Sequence, residues 1–404
     1  MQWNALLWLG CAYLAVLGVA LFVLLFGESA AFRDTIVGKT HWFFTQGLCH
    51  YSGRAVRGVF GERAETALSG VGEYCCDRPN PFMQLCYLLL VLGGYFVFCE
   101  RAFEFIPGPH LASYHLFTGP LAVAVGLGLF LLTSFSDPGT VTAANVEAHL
   151  RAFAHDGQLY RPKQCSTLRL PVPARSKFCR VTNRRVARFD HFCGWMNNTI
   201  GENNLRFFLA FLLWHAALCF YGVYLVVAIL AGEASERQLV QTVVDHRNAR
   251  LGAGAVGRWS RSTVTSVVRW LLHYHSVLVL LAIFVALTGV MLVCFLGYHL
   301  WLVANNTTTY ETFKWADYRE EARAAALELA FERAGFTPEQ MAAAMQEPAG
   351  GWRRWRRWLL PCLSAPRALP PGVVPVEPHV VNEYNHGVAA NFAEVLFPRS
   401  KRRR

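Results

Sequence analysis

Asp190, His191 and Cys193 stand within four consecutive positions of this chain. Together they supply what an activated sulfur nucleophile requires. A free thiol titrates at about pH 8.5, so only a few per cent is thiolate at neutral pH. An adjacent imidazole can take the thiol proton, and a carboxylate on its other nitrogen fixes the tautomer and stabilises the imidazolium. As a bare string, D-H-x-C is weak evidence, because a structural cysteine beside a solvated histidine satisfies it equally well. The window around it, residues 161–204, is the one dense polar cluster of the sequence and runs directly into a long apolar stretch.

The elements that must position this cluster are membrane spans. The chain has 404 residues, 54% apolar and 16% charged, with a mean hydropathy of +0.27. Soluble domains carry about a quarter charged residues, which disfavours an all-soluble enzyme. An aromatic content of 14% excludes disorder over most of the length. Twelve cysteines are too dilute for a disulfide scaffold, and Cys11, Cys86, Cys219 and Cys294 sit inside apolar runs. The net charge of +11 reads, in so apolar a chain, as cytoplasmic loops and lipid headgroup contacts, with no nucleic-acid partner. A transmembrane helix needs about 20 mostly apolar residues. Residues 5–26, 81–99, 111–135, 207–231 and 276–304 qualify. The first reads as a retained span, since it lacks a basic leader and its apolar core is too long for a signal peptide.

The predicted class is therefore an all-α integral membrane protein of about five spans. Residues 137–204 hold ten Lys and Arg against five Asp and Glu, and residues 304–404 hold fourteen basic residues, so both segments are expected in the cytosol. The divisions that follow are an N-terminal span and polar loop (1–80), two spans (81–136), a cytosolic domain (137–206), two spans around a lumenal loop at 232–273 (207–304), and a cytosolic tail (305–404). Within the tail, GWRRWRRW at 351–358 places Trp352, Trp355 and Trp358 on one helical face among arginines, as an interfacial helix would. A solvated charge run is the alternative. Residues 365–378 are Pro-rich and read as an extended linker, followed by a basic terminus at 401–404.

Context sharpens the cysteine cluster. Pro173-Ala174-Arg175-Ser176-Lys177 leads to Cys179. Arg188-Phe189-Asp190-His191 follows, with Cys193, Trp195, Asn197, Asn198, Ile200, Gly201, Asn204 and Phe208 behind it. This order closely resembles the cysteine-rich domain of the DHHC protein S-acyltransferases, the palmitoyltransferases. Asp137-Pro138-Gly139 after the third span is similar to the family's DPG motif. Thr308-Thr309-Tyr310-Glu311 after the fifth is similar to its TTxE motif. Tyr384-Asn385-His386-Gly387 with Asn391 and Phe392 is similar to its C-terminal element.

The resemblance implies a four-helix core, here with an extra N-terminal span, and a small cytosolic domain of short β-hairpins. It implies that Cys193 attacks palmitoyl-CoA, with His191 as base and Asp190 orienting it. The acyl chain then passes to a cysteine of a membrane-proximal protein substrate, with the lipid bilayer as the third partner. Exchange of one thioester for another is nearly isoenergetic, so no nucleotide is consumed. An endomembrane, ER or Golgi, is the expected compartment, with the plasma membrane as alternative.

The family also binds two zinc ions through Cys₃His sets, and here the sequence departs from it. The eight positions read Cys165, Leu168, Phe178 and Arg185, then Cys179, Thr182, Phe192 and Thr199. Structural zinc needs four protein ligands, so no zinc and no other cofactor is expected, and Cys165 and Cys179 are vestigial. Apolar packing by Leu168, Phe178 and Phe192 is expected to offset the lost metal, and a cytosolic setting disfavours a disulfide. Within the motif, Phe192 replaces a metal-site histidine rather than the base, and Gly194 a usual proline. His115 and His215 in the spans are expected to be satisfied histidines rather than proton relays. Cys75-Cys76 defaults to an unreactive pair, and the N-x-T strings at Asn197, Asn305 and Asn306 read as incidental. A catalytically silent scaffold of the same fold is the competing class. A coupled transporter is disfavoured, because the spans lack intramembrane acidic residues.

Overall fold

A computed structural model of the protein describes residues 35–252, 256–345, 369–376 and 380–401, together with Gly254 and scattered positions between 16 and 32. Among the described residues, four helices are long and apolar enough to cross a bilayer. They are α1 (Phe82–Ala102), α2 (His115–Phe135), α3 (Leu205–Glu236) and α4 (Ser276–Ala304). Each falls on one of the runs expected from hydropathy. Most of the run at 5–26, the Trp/Arg segment at 351–358 and residues 402–404 lie outside the described residues, as does part of the Pro-rich linker.

Boundaries shift where local chemistry overrides hydropathy. α2 starts at His115 rather than 111, because Pro107, Gly108 and Pro109 precede it and Leu111 is tied back to Gly108 by a pair of main-chain hydrogen bonds. α3 runs on to Glu236, and the expected 232–273 loop is largely two helices, Leu239–Leu251 and Arg261–Tyr274. Ser260 caps the second, accepting from the Thr263 N–H at 3.2 Å. The expected polar loop before α1 is likewise helical, at Ile36–Trp42, Leu48–Phe60 and Glu62–Asp77. A count of basic residues cannot separate a charged helix from a charged loop, which is why both were read as loops.

Inside the bundle, α3 packs between α2 and α4, and small residues let the backbones approach. A Cβ on Gly126 would lie 3.2 Å from the His215 ring, and one on Gly289 would lie 3.1 Å from Cys219 Cβ. Tyr87, Phe130, Phe208, Phe211, Leu212 and Leu296 form the apolar cluster nearest the hairpins, while Phe98, Leu225, Ile229 and Leu278 form another further along the same helices. His115 and His215 are both satisfied. His115 Nδ1 meets the Tyr221 hydroxyl at 2.8 Å, and His215 meets the Tyr87 hydroxyl at 2.7 Å and the Phe211 carbonyl at 2.8 Å.

Between α2 and α3 lie two antiparallel hairpins, β1 (Lys177–Cys179) with β2 (Arg184–Val186) and β3 (His191–Cys193) with β4 (Asn198–Ile200). After α4, Thr308 starts α5 (Thr309–Arg333) through a reciprocal capping box with Glu311. The chain returns to the hairpins at α6 (Val388–Leu396).

The Tyr87–His215 bond joins α1 to α3 across the apolar layer. Buried hydrogen bonds in membrane helices contribute on average about 0.6 and at most about 1.7 kcal/mol. Tyr87→Phe keeps the ring, which stacks on Phe130 at 4.0 Å, but strips the hydroxyl. It is expected to lower stability in detergent by about 1 kcal/mol; a thermal or denaturant midpoint equal to that of the unaltered protein would show the bond to be neutral.

Candidate active site at the membrane boundary

The second hairpin carries the chemical cluster. Strand alternation puts His191 and Cys193 on one face and Phe192 on the other. His191 pairs with Ile200, and Cys193 with Asn198. Asn198 fastens this hairpin to the end of α2, its side-chain amide donating to the Thr133 and Ser136 carbonyls at 3.2 and 2.9 Å. Asn204 closes the turn into α3, accepting from the Gly201 N–H and donating to the Thr199 carbonyl, both at 2.9 Å. Position 201 demands glycine, since a Cβ there would sit 2.5 Å from Val186 Cγ1 and 2.7 Å from the Pro138 carbonyl.

The other motifs are braces. Asp137 accepts from the N–H and hydroxyl of Thr140 at 3.1 and 2.6 Å, and from the Asn203 amide at 3.3 Å. The Pro138 carbonyl accepts from the Asn203 N–H at 3.2 Å. Gly139, at φ +104°, offers its carbonyl to the Ala187 N–H at 2.9 Å. Asn391 on α6 donates to the Ala304 carbonyl at the end of α4 and accepts from the His386 N–H.

Asp190 is buried, at 3% exposure. Its Oδ2 accepts from His191 Nδ1 at 2.6 Å and from the Thr309 hydroxyl at 3.0 Å, and its Oδ1 accepts from the Thr309 N–H at 2.8 Å. Burial pushes the carboxyl upward, but the hydrogen bond and charge of His191, with the Thr309 N–H, hold it well below the usual carboxylate range. His191 responds in the opposite sense. Burial lowers its pKa, while hydrogen bonds to Asp190 and Cys193 and the charges of both raise it to about 10. With Nδ1 committed to the carboxylate, Nε2 is the ring nitrogen left for the Cys193 thiol. The three side chains picked out in the sequence are thus brought together in the order a nucleophile, base and orienter need.

Thr308, Thr309 and Glu311 divide the remaining work. Thr309 holds Asp190, while Glu311 receives Arg175 through Nε at 2.8 Å and Nη2 at 2.6 Å, and Tyr160 through its hydroxyl at 3.0 Å. Asn306, read in the sequence as an incidental N-x-T, is fully buried and accepts from Arg175 and Arg188 at 2.7 and 3.0 Å. Glu394 on α6 approaches both arginines at 3.5 Å and Arg399 at 2.7 Å. Neither Asn306 nor Glu394 stands out in the sequence as a site residue, because Arg175 and Arg188 lie 118 or more positions away from them.

The eight former ligand positions do gather in space, but not as ligands. In the first hairpin Phe178 faces Arg185 across the strands. The Arg185 guanidinium donates to Cys165 Sγ at 3.4 Å and to the Ser176 hydroxyl at 3.2 Å. In the second set Phe192 faces Thr199, whose hydroxyl lies 3.3 Å from that of Thr182. Burial raises the Cys179 thiol, and the hydroxyls and N–H groups of this turn more than reverse it, so it titrates below the ordinary range. Phe192, Leu168 and Phe178 are all half-buried, Phe192 against the cluster of Cys179, Val186 and Phe189. A guanidinium and two hydroxyls are not zinc donors, and one thiol per set cannot close a tetrahedral site. Cys165 and Cys179 are both free.

A cavity of about 1190 Å³ opens beside Asp190 and His191; Phe295, His299 and Thr309 line it together with Lys163, Lys177, Arg180 and Arg185. His299 lies near the end of α4, eleven residues beyond Thr288, and a lone histidine at the end of an apolar run is its one visible signal in the sequence.

Two outcomes follow from the Asp190–His191 pair. Asp190→Asn should cut the rate of self-acylation by about two to four orders of magnitude, as loss of tautomer control does in other triads. The raised His191 pKa contributes stability that is complete below about pH 6.5 and lost as pH climbs through about 10. Thermal midpoints of the unaltered protein should therefore fall over that window, and those of His191→Gln should fall less; parallel curves would refute the coupling.

A DHHC palmitoyltransferase family profile matches residues 158–316, the interval that contains both hairpins, the triad, α3 and α4. The chain is 27% identical to palmitoyltransferase SWF1 of Yarrowia lipolytica over 98% of its own length and all of the relative. It is 28% identical to palmitoyltransferase swf1 of Schizosaccharomyces pombe over 76% of the chain and 80% of the relative. Palmitoyltransferase ZDHHC4 of Bos taurus is 31% identical over 69% of the chain and 79% of the relative. With its spans, hairpins and buried Asp190–His191 pair in the same arrangement of motifs, the chain belongs to the DHHC palmitoyltransferase family.

Proposed function

We propose that this multi-pass S-palmitoyltransferase acts through an acyl-thioester on Cys193. His191 accepts the Cys193 proton, and the sulfur attacks the thioester carbonyl of palmitoyl-CoA. The carbonyl–sulfur bond to CoA breaks, and the departing CoA thiolate takes the proton back from His191. In the second half-reaction a substrate thiol loses its proton to His191 and attacks the Cys193 thioester, so that the chain moves and Cys193 is restored. Asp190 fixes the imidazole throughout. The observation that carries this reading is the 2.6 Å bond from His191 to a buried Asp190 while the same ring interacts with Cys193.

The surroundings fit the substrate. Cys193 packs on the apolar cluster of Tyr87, Phe130, Phe208 and Phe211, where a fatty chain gains about 0.8 kcal/mol per buried CH₂. The cavity's Lys163, Lys177, Arg180 and Arg185 suit the phosphates of CoA. Acceptors are protein cysteines held near the lipid surface on the cytosolic face of an endomembrane. Neither hairpin set holds zinc in this reading, and no step passes through a metal.

Incubation of the purified chain with a clickable palmitoyl-CoA analogue is expected to give hydroxylamine-labile label that disappears in Cys193→Ser. Well-folded protein that takes no label would favour the silent scaffold. Metal analysis of the same preparation should find far less than one zinc per chain, and chelator should leave labelling unchanged. Two zinc ions per chain would overturn the metal-free reading.

A further inference from the structure

Three histidines are buried within the described spans, and the third behaves unlike the other two. His115 and His215 are satisfied by hydroxyl or carbonyl partners. His299 is buried at 2% exposure, yet neither of its ring nitrogens meets a hydrogen-bond partner among the described residues. The nearest acceptor is the triad carboxylate, with Asp190 Oδ2 4.0 Å from His299 Nδ1. The ring lines the cavity beside Asp190 and His191, where it offers a polar edge that a leucine or phenylalanine in the same apolar span would not.

Its placement is fixed by neighbours rather than by hydrogen bonds. Phe295, Phe208 and Tyr298 press on the imidazole edge to face at centroid distances of 4.6, 5.2 and 5.6 Å. The ring is thereby locked one helical turn before the end of α4, facing His191 at 5.8 Å and lining the cavity beside the triad. Asp190 already receives His191 and both donors of Thr309, and His299 approaches the same Oδ2 from the membrane side. At 4.0 Å this is not a hydrogen bond. Hydrogen bonds of a catalytic group are often long before substrate binds and tighten in the complex.

Building on the Cys193 reading above, we propose that His299 is a positioning residue of the triad, directing its Nδ1–H at Asp190 and fixing that carboxylate, and through it His191, when the acyl donor occupies the cavity. It makes no bond to the reacting sulfur. α4 thus adds a polar contact to the Asp190–His191 pair beside the Asn198 bonds that fasten the hairpin to α2, so that the hairpin and the membrane helices keep a common register.

The test is a double-mutant cycle on self-acylation with palmitoyl-CoA, alongside Cys193→Ser. His299→Leu is expected to slow the reaction by about 10- to 100-fold, the scale of a misplaced catalytic group. His299→Asn, whose amide nitrogen stands near the Nδ1 position, should recover most of the rate, and His299→Gln should not. In an Asp190→Asn background, His299→Leu should cost less than about 2-fold more, because both changes then act on one carboxylate. Multiplying effects, or equal rates for the Asn and Gln variants, would overturn the proposal. The Asn–Gln comparison stands if His299→Leu fails to fold. A Cys193→Ser protein that labels normally would instead sink the underlying mechanism, and an unimpaired His299→Leu beside a dead Cys193→Ser would sink this inference alone.

Discussion

A carboxylate shut away from water must be given donors, and Asp190 draws them from segments 119 positions apart in sequence. His191 binds it from the hairpin, and Thr309 from the first turn of α5. Unpaired, that charge would be driven to protonate, and protonation would release the imidazole. The catalytic geometry is therefore conditional on α4 ending where it does, since Thr309 stands just beyond its last residue. Thr308 sets that point by capping α5. The membrane helix, the cap and the triad are one mechanical unit.

A second buried layer ties the unit to the hairpins and the tail. Arg175 and Arg188 are almost wholly enclosed, and their partners Glu311, Asn306 and Glu394 come from α5, the α4–α5 junction and α6. Removing one member of such a buried pair typically costs about 3–5 kcal/mol, because a charge is left uncompensated. Zinc would cross-link only the hairpins; this network cross-links hairpins, spans and tail together. Within the hairpins, Arg185 reaches Cys165 and the Thr182–Thr199 pair sits beside Cys179.

Much of this was legible in the sequence, for identifiable reasons. Span positions follow from the need to satisfy backbone groups in lipid, which writes itself into long apolar runs. The triad was legible because its members are adjacent in the chain, and the brace motifs because each sits at a span boundary. What escaped were contacts formed only by folding. Asn306 looked like a modification string, Glu394 like an ordinary tail residue, and His299 like nothing in particular. The charged segments before α1 and after α3 read as loops in the sequence and are largely helical, since charge counts carry no periodicity. The Arg185 contact to Cys165 also escaped, because residue identity alone does not show which strand neighbour a guanidinium will reach.

That cation bears on how a metal site can be lost. Zinc draws thiolates by charge, and a lone cysteine left behind in a tight turn keeps the same appetite for a positive neighbour. Arg185 stands across the strand from Phe178 and supplies a fixed charge with directional N–H groups. A guanidinium is a donor and not a metal ligand, so with Arg185 on Cys165 the other two positions of that set need only fit. Leu168 and Phe178 at that site are then tolerated. The triad is indifferent to the exchange because its donors, His191 and Thr309, were never part of either metal set. Catalytic residues and structural ligands interleave along the hairpins, yet strand alternation sends them to opposite faces, and that separation is what lets one set drift while the other stays.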